Sequence, residues 1–178
     1  PGDTAEKDIE TAKKIIALEP DGVRIYPTVI VRDTALYDMW RAGKYAEHTV
    51  EDAVSVCAQL VPLFEAAGIP IIRLGLNPTD DLSGGDAVGG AYHPALGELV
   101  RSRIMLQKAR ELLRGITPGS AVTLGVGRGK ASQMAGQHRC NTKALTAEFS
   151  LKNIRITEKA ELSGREIQIL NIGMPHKM

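Results

Sequence analysis

Apolar residues in this chain recur at helical spacing in several stretches, with short unbroken apolar runs between them. Ile9, Ala12, Ile15, Ile16 and Leu18 share one helical face. Thr4 or Asp3 is placed to cap the start of that helix, and Glu6 and Asp8 suit its positive end. The helix must stop before Pro20, because proline pushes the preceding residue out of the helical region. The run Gly22–Thr28 predicts a strand. The span 34–43 predicts a short helix closed by Gly43. Thr49 caps the next helix, over 50–67, with Asp52 three residues on as an acidic relative of the capping box. That helix places Val54, Cys57, Leu60, Val61 and Phe64 on one face, so Cys57 is expected to be a buried, inert thiol. The run 69–76 is apolar on both faces except for Arg73 and predicts a buried strand. Helix, strand, helix, strand with short joins predicts a parallel α/β sheet.

The pattern breaks after Leu76. Residues 77–94 are rich in Gly, Asp and Pro and predict a long loop, and loops of that length are commonly functional or mobile. Periodicity resumes with a long helix over 95–114, a strand over 121–126, a turn at 127–130 and helices over 131–138 and 142–149. Asn141 is placed to cap the second of these. The spans 152–159 and 165–171 both alternate, with a turn at Ser163-Gly164 between them, and read as a hairpin. Three parts result: residues 1–78, a linker over 79–94, and a second module over 95–178. The tail 173–178 is expected to be loose.

Composition narrows the picture. A hydrophobic fraction of 43% supports a real core, and 4% aromatics make it a core of Ala, Val, Ile and Leu. Cys57 and Cys140 form no disulfide framework and have no neighbouring Cys for a local metal site, so a reduced, cytoplasmic setting is expected. No apolar run reaches the roughly 18 residues of a membrane helix. The polar, acidic start PGDTAEKDIE does not read as a signal peptide. The net charge of +1 hides an asymmetry, since residues 1–100 hold 8 Lys/Arg against 16 Asp/Glu and residues 101–178 hold 14 against 5. The basic half is a candidate for RNA or another polyanion. Attraction between the halves, or a merely solvated basic face, accounts for the split equally well.

The segment 125–130, Gly-Val-Gly-Arg-Gly-Lys, follows a strand and opens a helix. It fails the phosphate-loop pattern, with Leu124 at the first Gly position and Ala131 after the lysine, and fails the dinucleotide pattern at Lys130. A weaker reading survives. Gly127, Arg128, Gly129 and Lys130 form a cationic turn ahead of a helix, which can hold a phosphate. Arg139 and Lys143 add charge, as do His138, Lys152 and Arg155. Phe149 is the sole aromatic residue of 101–178, so any RNA contact would go mainly to phosphate. The same strand–turn–helix resembles the coenzyme A grip of acetyltransferases, a remote alternative because 95–178 is short for that fold. The four histidines are scattered without metal spacing.

The richest stretch is Val23–Tyr45. An apolar strand meets Pro27, which has no N–H to continue a ladder, and a polar turn and a short helix follow. Strand ends of this kind carry functional groups in α/β enzymes. Tyr37 and Trp40 on that helix are expected to be packing. An ordered series of residues carries a family resemblance: Pro1-Gly2-Asp3-Thr4, then Arg24-Ile25-Tyr26-Pro27-Thr28, Thr34-Ala35-Leu36-Tyr37, Trp40, Gly43-Lys44-Tyr45 and Ile72-Arg73-Leu74-Gly75-Leu76. Over this span the chain resembles the back end of the radical SAM domain of the elongator catalytic subunit family. The rest is similar to the small C-terminal extension of some bacterial members.

The resemblance implies the last β/α elements of a radical SAM barrel followed by a small basic α/β domain. It implies an iron–sulfur cluster and S-adenosylmethionine in the full-length protein, and transfer RNA as a partner. Tyr26, Pro27 and Thr28, with Arg73, Gly75 and Asn77, would then border the S-adenosylmethionine or substrate pocket. Arg73, a charge in an apolar strand, equally well pairs with Asp80 or Asp81. A [4Fe–4S] cluster needs several converging thiolates. Cys57 and Cys140 alone cannot supply them, so the chain is expected to be a C-terminal fragment, complemented by the other half of the barrel and inactive by itself. A purely RNA-binding or docking role is the alternative.

Overall fold

The computed structural model describes residues 1–77 and 82–174. The chain divides into two compact units, Pro1–Val100 and Arg101–Met178. Both are mixed α/β, and neither contains a closed barrel among the described residues.

In the first unit, helix α1 (Ala5–Ile16) starts at Thr4, whose side chain accepts the Lys7 N–H. Helix α3 (Val50–Ala66) opens on a complete capping box, in which Thr49 and Asp52 each satisfy the other's backbone N–H. The apolar faces read from the sequence meet: Ala12 packs with Leu60, Phe64 and Ile69. Strands β1 (Val23–Ile25) and β3 (Ile71–Leu74) pair in parallel around this core. Helix α2 (Ala35–Arg41) is capped by Thr34 and buries no residue fully. Its Tyr37 and Trp40 are half-buried and pack against each other, ring centres 6.1 Å apart.

Three expectations are corrected here. The strand anticipated over 22–28 ends at Ile25. Tyr26-Pro27-Thr28 breaks it, and β2 (Val29–Val31) leaves to pair antiparallel with β4 (Ala87–Gly90). That pairing places a strand inside the stretch read as a loop, where Gly89 and Gly90 had masked it. The strand at 71–74 is not buried on both faces, since its sheet has two strands and Ile72 is 64% exposed.

Helix α4 (Leu96–Leu113) runs into the second unit. There, β5 (Ala121–Gly127) is central, flanked by β6 (Asn153–Lys159) in parallel and β7 (Ile167–Gly173) antiparallel. The expected hairpin of the last two strands is therefore wrong, because β5 lies between them. The seven residues separating them exceed a tight hairpin turn, and β5 needs a ladder on each side. Met105, Ala109 and Leu113 of α4 cover one sheet face, with Val122, Leu124, Val126, Ile154 and Ile167. Helices α5 (Ala131–Ala135) and α6 (Cys140–Glu148) supply Met134 and Leu145 to the same core. Between them a 3-10 turn, Gln137–Arg139, holds His138 and Arg139 at φ of 50° and 60°, a left-handed conformation costly for non-glycine residues. Asn141 is not a cap before α6 but a buried residue within it.

Candidate functional site

The first unit contains an open cleft of about 720 Å³. Three segments build it: the turn and first residues of α1, the strand break Tyr26-Pro27-Thr28, and the loop 44–48. Each is held for a physical reason. Asp3 accepts the Thr4 N–H at 2.9 Å and Lys7 Nζ donates to the Gly2 carbonyl, which fixes the turn ahead of α1. Pro27 cannot donate to a ladder, so the β1–β3 pairing ends there, its last bond running from the Gly75 N–H to the Ile25 carbonyl at 2.9 Å. The Thr28 carbonyl accepts the Ala91 N–H at 3.0 Å. The loop is anchored by Glu47, whose Oε1 accepts the Gly90 N–H at 2.8 Å. Gly90 is required there: its φ is +82°, and a Cβ would lie 2.7 Å from the Thr28 carbonyl oxygen.

The cleft mixes acids with cations. Asp3, Asp8 and Glu47 face it together with Lys7, Lys44 and His48. Burial, then the Asp3 charge, pushes the Asp8 carboxyl above its usual range, and the charge His48 can carry opposes this. Burial and the Asp8 charge push the Cys57 thiol up to about 11, consistent with an inert core cysteine. Tyr26 stands at the rim, 48% exposed, which is unusual for so large an aromatic ring.

Of the six residues expected around a pocket, the structure places Tyr26, Pro27 and Thr28 in this cleft. Arg73, Gly75 and Asn77 are not among the residues lining it. Gly75 instead packs on Leu96, whose side chain lies 3.1 Å from where a Cβ would sit. Arg73 is half-buried on β3 opposite Arg24. Its suggested partners Asp80 and Asp81 lie outside the described residues. The sequence placed Asp8 at a helix start and gave no site role to Asp8, Lys44, Tyr45, Glu47 or His48. Gly43-Lys44-Tyr45 stood out as a motif, and a bond spanning 43 residues, Glu47 to Gly90, anchors that loop at the site.

In the second unit, Gly127 ends β5 and Arg128-Gly129-Lys130 forms the turn. The N–H of Ala131 donates to Glu158 Oε1 at 3.2 Å, so a carboxylate already sits at the start of the five-residue α5. What the turn offers a phosphate is its cationic side chains. Arg139 and Lys143 are exposed on the 3-10 turn and on α6. Among the described residues no three His, Cys, Asp or Glu side chains gather to hold a metal, and no helix is long and apolar enough to cross a membrane.

The Radical_SAM C-terminal domain family matches residues 20–105. Over this span the chain is similar to the C-terminal part of elongator-like radical SAM proteins. It is 36% identical over 61 residues to the human Elongator complex protein 3, and 34% identical over 61 residues to that of Saccharomyces cerevisiae. It is 36% identical over 59 residues to a protein of Methanocaldococcus jannaschii named tRNA uridine(34) acetyltransferase. These matches take in about a third of this chain and 11% of each relative. The radical SAM C-terminal domain so defined holds the strand break, the loop 44–48 and β3. The cationic turn of the second unit lies beyond it.

Proposed function

We propose that this chain forms part of a radical SAM enzyme that modifies RNA. In this reading the first unit supplies the last β/α elements of the barrel, and the second is a small basic domain that holds the RNA. The observation carrying the proposal is the family match over residues 20–105, joined to relatives whose names include a transfer RNA enzyme. The sheet supports it. Parallel strands normally lie in larger sheets buried on both faces, whereas β1 and β3 stand as a pair with Ile72 64% exposed. Further barrel strands would cover that face.

The residues present do not fit an iron–sulfur cluster. Cys57 is buried with its thiol held protonated, and Cys140 belongs to the other unit. The cluster, the S-adenosylmethionine it would cleave, and the radical step therefore belong to sequence outside this chain, and the chain alone is inactive. Its own share is to shape and charge the rim. Tyr26, Pro27 and Thr28 with the loop 44–48 border the pocket, and Arg73, Gly75 and Asn77 close the neighbouring strand end. Gly127, Arg128, Gly129, Lys130, Arg139 and Lys143 contact RNA phosphates. Two free thiols suit a reduced, cytoplasmic location.

The test is anaerobic reconstitution of the protein expressed with the coding sequence upstream of Pro1. An oxygen-sensitive brown species that reductively cleaves S-adenosylmethionine is expected. A protein that binds no cluster and leaves S-adenosylmethionine intact refutes the catalytic reading. The excess of 14 basic over 5 acidic residues in 101–178 would then favour a second reading, a non-catalytic RNA-binding domain.

A further inference from the structure

The acids of the second unit are mostly engaged in structure. Glu111 pairs with Arg114, Glu148 pairs with Arg110, Glu158 holds the start of α5, and Glu166 caps the turn at Ser163. Among the described residues, the side chains of Arg155 and Lys159 of β6 make no hydrogen bond or ion pair. Their positions follow from strand geometry. Side chains alternate along a strand, and Ile154 and Ile156 of β6 face the core. Arg155, Thr157 and Lys159 therefore share the opposite face. The one acid of that strand, Glu158, points the other way, to α5.

The register extends this face across the sheet. Arg155 stands beside Thr123, and Thr123 beside Asn171. Thr157 stands beside Gly125, and Gly125 beside Gln168, while Lys159 is next to Gly127. Arg155, Gln168 and Asn171 are exposed. The result is a pair of cations along one edge with hydroxyl and amide groups on the strands beside it, set around Leu170, which lies over Gly125, while the chain at Leu162 and Gly164 lies over Gly127. At about 3.3 Å per residue and 4.8 Å between strands, it measures roughly 13 by 10 Å.

We propose that this face of the β6–β5–β7 sheet, along its Arg155–Lys159 edge, rather than the Gly-rich turn, is the main RNA-binding surface of the protein. The chemistry favours a ribose–phosphate backbone. Arginine and lysine meet the phosphates. Threonine, asparagine and glutamine both donate and accept, as a ribose 2′-hydroxyl requires. No aromatic ring stands on the face, so bases are not stacked and sequence is read weakly. The inference rests on the proposal that the second unit holds RNA, and changes where it does so.

The full 178-residue chain is titrated with a single-stranded RNA, the DNA of the same sequence and polyglutamate, at several salt concentrations. Two variants are compared. R155A/K159A removes the sheet cations; R128A/K130A/R139A/K143A removes the turn and α6 cations. Each lost phosphate contact lowers the salt slope by about 0.7, which is about fivefold in affinity at 0.1 M salt. R155A/K159A should therefore bind RNA about 25-fold more weakly, with the slope reduced by about 1.4, and RNA should bind more tightly than DNA or polyglutamate. Loss of binding in the four-site variant with R155A/K159A unchanged overturns the inference and leaves RNA binding by this unit standing. Equal binding of polyglutamate also overturns it. No RNA binding by the unmodified chain at low salt overturns both.

Discussion

Asn141 offers the sharpest test of how the second unit is held together. Its side-chain amide has two N–H donors, and four acceptors lie within reach. These are the Ser102 carbonyl at 3.1 Å, Ser102 Oγ at 2.9 Å, the Gln133 carbonyl at 3.4 Å and the Met134 carbonyl at 3.1 Å. The Gln133 and Met134 carbonyls close the five-residue helix α5 and have no following helical turn to donate to them. Asn141, from α6, thus ends α5 and ties it to α4. Truncation to alanine removes two hydrogen bonds worth about 1 kcal/mol each and leaves at least one buried carbonyl unsatisfied at a further 1 kcal/mol or more, a loss of about 2–4 kcal/mol. N141D carries the sharper signature. An ionised carboxylate only accepts, and would face carbonyl oxygens, so its pKa must rise in the folded state. Its stability is greatest below the ordinary aspartate value near 3.9 and is lost as pH rises through the raised folded value. Urea unfolding followed by circular dichroism, with hydrogen exchange of the β5 amides, reads both effects. At pH 7, N141D should be the less stable of the two variants, and at low pH the gap should close. An N141A variant within 0.5 kcal/mol of the parent, or an N141D variant whose deficit ignores pH, would refute this account.

Two glycines separate backbone strain from collision. Gly43 and Gly90 both have positive φ, 68° and 82°, but a Cβ meets nothing within 4 Å at Gly43 and meets the Thr28 carbonyl at 2.7 Å at Gly90. G43A should cost about 1–2 kcal/mol in urea unfolding, and G90A clearly more; equal losses would count against a packed strand crossing. Asp8 has its pKa raised by burial and by Asp3, so its contribution is present at low pH and lost as pH rises through the folded value. D8N should match the parent near pH 3.5 and exceed it in urea midpoint at pH 7, and a D8N protein weaker at pH 7 contradicts the sign. Cys57, with its thiol pushed up to about 11, is roughly a hundredfold less ionised at pH 8 than an ordinary cysteine. Iodoacetamide at that pH should label exposed Cys140 and reach Cys57 only after unfolding; comparable labelling of both in the folded protein would show that Cys57 is not where the structure puts it.

The helices were legible because burial of one face is written in a residue's own neighbourhood. Thr4, Thr49 and the stripe from Val54 to Phe64 locate the starts of α1 and α3 and the end of α3 to within a residue, whereas α1 ends at Ile16, short of Leu18, which is 79% exposed rather than on the packed face. The departures share one cause: they depend on a partner far along the chain. Alternation shows that β6 and β7 each have one buried face, but not that β5 comes between them, since neighbouring strands pair only about two-thirds of the time. Asn141 satisfies the local rule for a cap before α6, yet its amide ends α5 and reaches Ser102, 39 residues away. The cleft follows the same logic. Pro27 marks its rim in the sequence because a missing N–H is a local fact. Lys44, Glu47 and His48 arrive through Gly90, within a stretch whose glycines read as loop. A glycine-rich segment is thus ambiguous from sequence: the missing Cβ that permits a turn also permits a strand to press against another backbone. Only the bond from Glu47 to the Gly90 N–H, and the 2.7 Å from Thr28 that a Cβ could not survive, decide that Gly90 does the second.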